Sequence, residues 1–226
     1  MKRHRLALLP LLGLLAAAAA DAEAPETVLA RMRQAQANVR SLVANLEQVK
    51  SYPQLGIEDP PETGSFYLTR QRGRTRLKME IRTPETRILR VQDGEYLLYQ
   101  PRIKQAVEGK LAGGGKKGLF SGLLTGSPEA MEELDADYDA EGLGEAILSG
   151  MTVVKLRFTA KPGAEVYCER IELSIDTTLW LPVQQSCHEA NQNVITFTLD
   201  DIKLNVPMDK DVFEVELPAG VERLRG

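Results

Sequence analysis

Residues 65–82 read SFYLTRQRGRTRLKMEIR, and the alternation within them decides the fold. Side chains two apart in a strand share a face. Phe66, Leu68 and Arg70 therefore lie on one side, with Ser65, Tyr67 and Thr69 on the other. In the strand that follows, Leu77, Met79 and Ile81 alternate with Arg76, Lys78, Glu80 and Arg82. One face is apolar and the other almost wholly charged, the pattern of an antiparallel sheet with one wet side.

Working outward toward the N-terminus, Leu42, Ala44, Leu46 and Gln48 keep the same period of two against Val43, Asn45, Glu47 and Val49. A loop with Pro53, Gly56, Pro60, Pro61 and Gly64 is expected to end that strand. Before it, Val28, Leu29, Met32, Ala35 and Val39 recur at helical spacing, after a start at Glu26 or Thr27 behind Pro25.

Toward the C-terminus, a strand over Arg87–Gln92 turns at Asp93-Gly94 into Glu95–Gln100, and Pro101 breaks it. A short strand is expected over Ile103–Glu108, then a glycine- and lysine-rich loop over Gly109–Gly118 and an apolar segment, Leu119–Leu124. Ser127-Pro128-Glu129 has the form of an N-cap with proline at the first helical position, which predicts a helix to about Leu134. Strands follow over Met151–Thr159, Val166–Ile175, Leu181–Glu189 and Val194–Leu204, and a last one over Val212–Leu217. Ten or so strands and two or three helices require a sheet that curls, so an open or closed barrel with helices over one mouth is the economical architecture.

The 226-residue chain is 43% hydrophobic and 27% charged, within the range of an ordinary globular domain. Its one long apolar run, Leu6–Ala20, follows Lys2, Arg3, His4 and Arg5 and contains Pro10. That is the form of a secretory signal peptide, too short to span a bilayer, with cleavage expected after Ala20. Residues 1–20 are read as the signal and 21–226 as a single domain. Removing residues 1–20 takes basic but no acidic side chains, so the remainder is more acidic than the formal −4 of the whole. A nucleic-acid binder is not expected. The local exception is the stretch from Arg70 to Arg90, rich in arginine, which reads as a solvated strand face or as a dock for an anionic headgroup or acidic partner.

Catalytic chemistry is scarce. His188 is the only histidine after residue 20, and no Gly-x-Ser-x-Gly elbow exists. The Gly115-Lys116 pair lacks the earlier glycine of a phosphate loop, where Lys110 stands, and Lys117 occupies the Ser/Thr position. Asp135, Asp137, Asp139 and Glu141 read as a solvated acidic loop, with an enzyme of unfamiliar type as the competing possibility. No cofactor or metal is expected. Cys168 and Cys187 fall opposite one another if the hairpin turns about Thr177-Thr178 and then form a disulfide. They fall on opposite faces if Ile171, Leu173 and Ile175 share a side with Leu181 and Val183. The sequence leaves both open.

Taken in order, these elements resemble the LolA-like family of periplasmic carriers of outer-membrane lipoproteins. The resemblance runs through the first helix, Leu42-x-Ala44-x-Leu46-x-Gln48, Gly64-x-Phe66-Tyr67-Leu68-x-Arg70 and Arg76-x-Lys78-Met79. It continues in Asp93-Gly94-x-x-Leu97-x-Tyr99-x-Pro101 and in the tail from Asn205-x-Pro207-x-Asp209 to Phe213, Pro218 and Gly220-Val221.

The resemblance implies an α+β fold: a strongly curved antiparallel sheet, an open half-barrel, with helices covering the concave side. It implies that Leu46, Phe66, Leu68, Leu77, Met79, Ile81, Leu89, Val91, Phe120 and Leu123 meet acyl chains. The strand-end arginine would latch the empty cavity shut. That arginine is Arg70 or Arg72, since Gln71-Arg72-Gly73-Arg74 departs from the family's pattern and Leu77 takes the place of an aromatic; parity favours Arg70. The implied partners are an inner-membrane ABC transporter and an outer-membrane receptor, the implied location the periplasm and the implied state a monomer. The other reading of the same fold is a regulatory or lipid-sensing module that binds a membrane protein without transport.

Overall fold

The computed structural model describes residues 23–71, 73–110 and 128–226. The expected signal peptide, Arg72, the glycine- and lysine-rich loop from residue 111 onward, Phe120, Leu123 and the Ser127 cap lie outside the described residues. Helix α1 spans Pro25–Ala37, with proline at its start. Strands β1 (Ser41–Tyr52), β2 (Ile57–Glu58), β3 (Glu62–Gln71), β4 (Arg74–Thr83), β5 (Arg87–Gln92), β6 (Glu95–Gln100) and β7 (Gln105–Lys110) follow. After helix α2 (Pro128–Asp137) come β8 (Tyr138–Leu148), β9 (Met151–Ala160), β10 (Cys168–Asp176), β11 (Pro182–Glu189), β12 (Val194–Leu204) and β13 (Glu222–Arg225).

All of these strands join one open sheet in the order β13-β7-β6-β5-β4-β3-β1-β12-β11-β10-β9-β8, with β2 paired to β1. Every pairing is antiparallel except that of β13 with β7. A twisted sheet this wide coils on itself. The chain leaves β7 for the far edge at β8 and works back until β12 lies beside β1, so β1 is the spine joining an N-terminal and a C-terminal half.

The period-two pattern survives intact through the spine. Across β1, β3, β4 and β5 the register pairs Ala44 with Phe66, Phe66 with Met79 and Met79 with Leu89. These side chains point the same way, and on the β12 side Leu46 meets Leu199. Gly64, expected in a loop, lies inside β3. A Cβ there would overlap the Glu80 carbonyl, so glycine is what lets β4 approach.

The apolar face carries two clusters. In the C-terminal half, Val28, Leu29 and Met32 of α1 with Met131 and Leu134 of α2 pack on Val154, Leu156 and Phe158 of β9 and on Ile171, Leu173 and Ile175 of β10. In the N-terminal half, Leu42, Ala44, Leu46, Phe66, Leu68, Leu77, Met79 and Ile81 pack with Leu181, Phe197 and Leu199.

Four expectations need correction. The strand placed at Ile103–Glu108 begins at Gln105, because Pro101–Ile103 form a 3-10 turn and Lys104 takes a left-handed φ of 50°. Val212–Leu217 is no strand: a 3-10 turn spans Lys210–Phe213, and the alternation beyond it arises because Val215 and Leu217 press onto Leu97, Tyr99 and Ala106 on the outer face. The last strand is Glu222–Arg225. Asp135 and Asp137 end a helix that runs to Asp137, and Asp139 and Glu141 lie on β8, so the acidic run is not a loop.

The cysteines are joined, Cys168 to Cys187, with Cα atoms 5.3 Å apart. The parity conflict is resolved by a register shift between Cys168 and Arg170: Ile171 pairs with Cys187, yet Cys168 pairs with Glu189. Glu169 and Arg170 are both exposed, and Cys168 rejoins the buried face. The bond closes a loop with a sequence separation of 19, for which the chain-entropy account gives about 3 kcal/mol. Replacing both cysteines by alanine should lower the unfolding free energy by about that amount in a urea titration; an unchanged midpoint would show that the bond constrains nothing.

Candidate functional site

The residues expected to meet acyl chains are brought together where the structure describes them. Leu46, Phe66, Leu68, Leu77, Met79 and Ile81 are buried in one cluster, and Leu89 and Val91 pack against its margin half-buried. Phe66 is wholly buried, opposite Ala44 on one side and Met79 on the other. Several further members went unassigned from sequence: Val39, Leu42, Ala44, Leu181, Phe197 and Leu199. For Leu42 and Ala44 the signal was present in their parity with Leu46, whereas Phe197 and Leu199 are placed there only by the long-range pairing of β12 with β1.

Arg70 stands where this apolar face meets the helix. Its backbone N–H donates to the Arg40 carbonyl at 2.7 Å, and its Nη1 donates to the Gln36 carbonyl at 2.6 Å. Gln36 lies in the last turn of α1, where backbone carbonyls lack partners within the helix and the dipole is negative. α1 has no basic residue of its own in that turn, so β3 supplies the cation. Burial pushes the Arg70 guanidinium below its ordinary value, but an arginine so placed stays charged at neutral pH.

The junction between α1 and β1 is held by Asn205, at a φ of 56° that asparagine tolerates. Its Oδ1 accepts from the Arg40 and Ser41 N–H groups at 2.8 and 3.4 Å, and its Nδ2 donates to the Asn38 carbonyl at 3.3 Å. Ser41 Oγ donates to the Val206 carbonyl at 2.7 Å. These bonds fix the end of α1 beside Arg70. An open cavity of about 240 Å³ at this corner has a mixed lining, with Arg40, Ser41, Thr69 and Asn205 beside Val206, Pro207 and Met208.

On the opposite face, most of the described basic residues of the arginine-rich stretch have partners within the chain. Arg74 pairs with Asp93, and Lys78 and Arg82 pair with Glu80; Arg87, across the ladder from Ile81, stands instead on the apolar-face side of β5 and pairs there with Glu62. Arg76 lies over the Phe213 ring, 5.0 Å from its centroid. Among the described residues there is no group of His, Cys, Asp and Glu that could hold a metal ion, and no helix long and apolar enough to cross a membrane.

Because Phe66 fills the centre of the cluster, Phe66→Ala should cost about 3–5 kcal/mol of stability, measured by denaturant unfolding. A loss below about 1 kcal/mol would mean that the cluster is loosely filled.

No protein-family model matches the sequence, and no curated protein matches it. Solved structures do. A conserved protein from Thermus thermophilus, described as uncharacterized, is similar with 14% identity and a TM-score of 0.57, over 89% of this chain and 98% of that one. The crystal structure of MucB is similar with 15% identity and a TM-score of 0.55, over 84% of this chain and 62% of MucB. MucB in the Pseudomonas aeruginosa MucA/MucB complex gives a TM-score of 0.54 at 15% identity, over 84% of this chain and 60% of that one. The chain thus spans about three fifths of MucB's length. At these identities the likeness is one of fold: the chain shares the fold of MucB and of the Thermus thermophilus protein.

Proposed function

We propose that this protein is a periplasmic carrier that holds the acyl chains of lipoproteins, or of another lipid cargo, against the apolar face of its sheet. In this reading the face is concave, α1 and α2 cover it, and residues 1–20 direct export and are removed. The observation that carries the reading is the bond from Arg70 to the last turn of α1 at the edge of an apolar cluster. A shuttle needs an apolar interior that closes when empty and opens for a greasy ligand. Each acyl CH₂ taken out of water is worth about 0.8 kcal/mol, so chains of this kind cross an aqueous compartment only when sheltered.

The latch follows from the chemistry of the two partners. A carbonyl already accepting from the Val39 N–H gains a charge-assisted bond from the guanidinium, which ties helix to sheet while the interior is packed on itself. A chain entering between Phe66, Leu68 and Leu77 must displace the helix end, and the bond breaks. Cargo release then restores it, so the bond biases the cycle toward unloading onto a receptor. The transporter and receptor enter only through the family resemblance.

The second reading, a sensing module that binds a membrane protein partner, is favoured by the likeness to MucB, solved in complex with MucA. The two part on a genetic test: a carrier complements a strain depleted of lipoprotein export, and a sensor does not.

Two variants test the carrier in vitro. Arg70→Leu removes the closing bond and keeps an apolar wall, so it should bind a fluorescent acyl probe as tightly as the wild type or about three- to tenfold tighter, while passing it to acceptor vesicles more slowly; transfer at the wild-type rate would dismiss the latch. Leu77→Ala leaves Arg70 in place but opens the wall, and it should weaken probe binding severalfold at a stability cost of about 2–5 kcal/mol. Unchanged probe affinity in a folded Leu77→Ala protein would remove the cluster from the binding site.

A further inference from the structure

Strand β11 departs from its own pattern at one position. Val183 and Cys187 are apolar and buried, and midway between them stands Gln185, 0% exposed. Neither its Oε1 nor its Nε2 has a hydrogen-bond partner among the described residues. The ladders on both sides fix its place: it pairs with Leu173 of β10 and with Phe197 of β12. Leu173 belongs to the cluster beneath the helices and Phe197 to the cluster that contains Phe66 and Leu77. Gln185 therefore stands on the seam between them, an amide flanked on both ladders by apolar side chains.

Such a group is costly. A primary amide offers two donors and an acceptor, and leaving them unmade in the interior costs more than a typical bond returns. Native proteins hold few groups of this kind, and an apolar residue of similar size would fill the same space. A permanent role in folding does not account for an amide with nothing to bond among the described residues.

We propose that Gln185 is the polar anchor of the cargo site and that its Nε2 donates to the carbonyl oxygen of an acyl ester or amide. This deepens the carrier reading and rests on it. The chemistry of the surroundings selects the ligand group. Around the amide lie Leu173, Phe197, Val183 and Cys187, which offer no further side-chain donor, so a phosphate or a sugar would be stranded there. An acyl carbonyl needs one bond and is otherwise flanked by hydrocarbon. Bonded to Gln185, it sets how deep the chain inserts, with the tail running along Phe66 and Leu77. The anchor then distinguishes acyl chains from plain hydrocarbon and from ether-linked chains, which no apolar wall can do.

The test is competition against a bound fluorescent acyl probe by a diacyl phospholipid and by its dialkyl ether analogue of equal chain length and headgroup. The purified protein should prefer the ester by about tenfold, the worth of a well-made buried bond. Gln185→Leu should bind both lipids with the wild-type affinity for the ether, and its unliganded form should melt at a higher temperature because the unpaired amide is gone. Gln185→Met, which keeps the unbranched shape, should behave alike and covers the case in which leucine disturbs packing. A wild type that does not distinguish ester from ether, or a variant that keeps the preference, overturns the anchor while leaving the carrier standing. A wild type that binds neither lipid overturns both.

Discussion

Everything in this molecule depends on one constraint: a single sheet of thirteen strands carries its two larger apolar clusters on one face, and among the described residues two short helices are present to cover it. The two described helices, of 13 and 10 residues, are short against so wide a surface. The sheet must coil and shelter part of its own face. In the C-terminal half the helices complete the core, and in the N-terminal half the strands face Phe197, Leu199 and Leu181 instead.

The outer face solves a different problem. The C-terminal tail crosses β6 and β7, burying Phe213 and seating Val215 and Leu217, and ends as a strand parallel to β7. The outward cations of β4 meet Asp93, Glu80 and the Phe213 ring, so a stripe that stands out in the sequence as a block of positive charge is largely neutralised in the fold. A pair that stands in water, such as Arg74 with Asp93, adds little stability. The effect of these contacts is to leave less of the stripe's charge for other anions.

Much of the fold was legible because alternation is a local signal. In β3 and β4 each strand announced its own inward face, and the Asp93-Gly94 turn announced the pairing of β5 with β6. Three things were hidden, each for a physical reason. The register shift at Glu169 inverts parity, so counting in twos left two placements of the cysteines open where the fold has one. Val212–Leu217 alternates as a strand does, yet it lies on a sheet and not within one, and the period is the same in both cases. Gln185 stands out in the sequence as a polar residue at an apolar parity, but its meaning required knowing that nothing across either ladder could bond to it. Arg70 was legible by parity alone, while its acceptor was not: a backbone carbonyl carries no mark in the sequence, and Gln36 reads there only as one position of a helix.

The order of strands also says what copies of this chain can do to one another. An open sheet has two ends, and open ends invite further strands. Here one end is β13, four residues long and carrying Glu222, Arg223 and Arg225, and the other is β8, eleven residues long and carrying Asp139, Glu141 and Glu145. A second molecule arriving at β13 finds a ladder of few rungs, and two β8 edges meeting each other bring like charges face to face. The cost of keeping a sheet open, which is exposure to runaway polymerisation, is thus contained by making one border too short and the other too acidic to serve as a template.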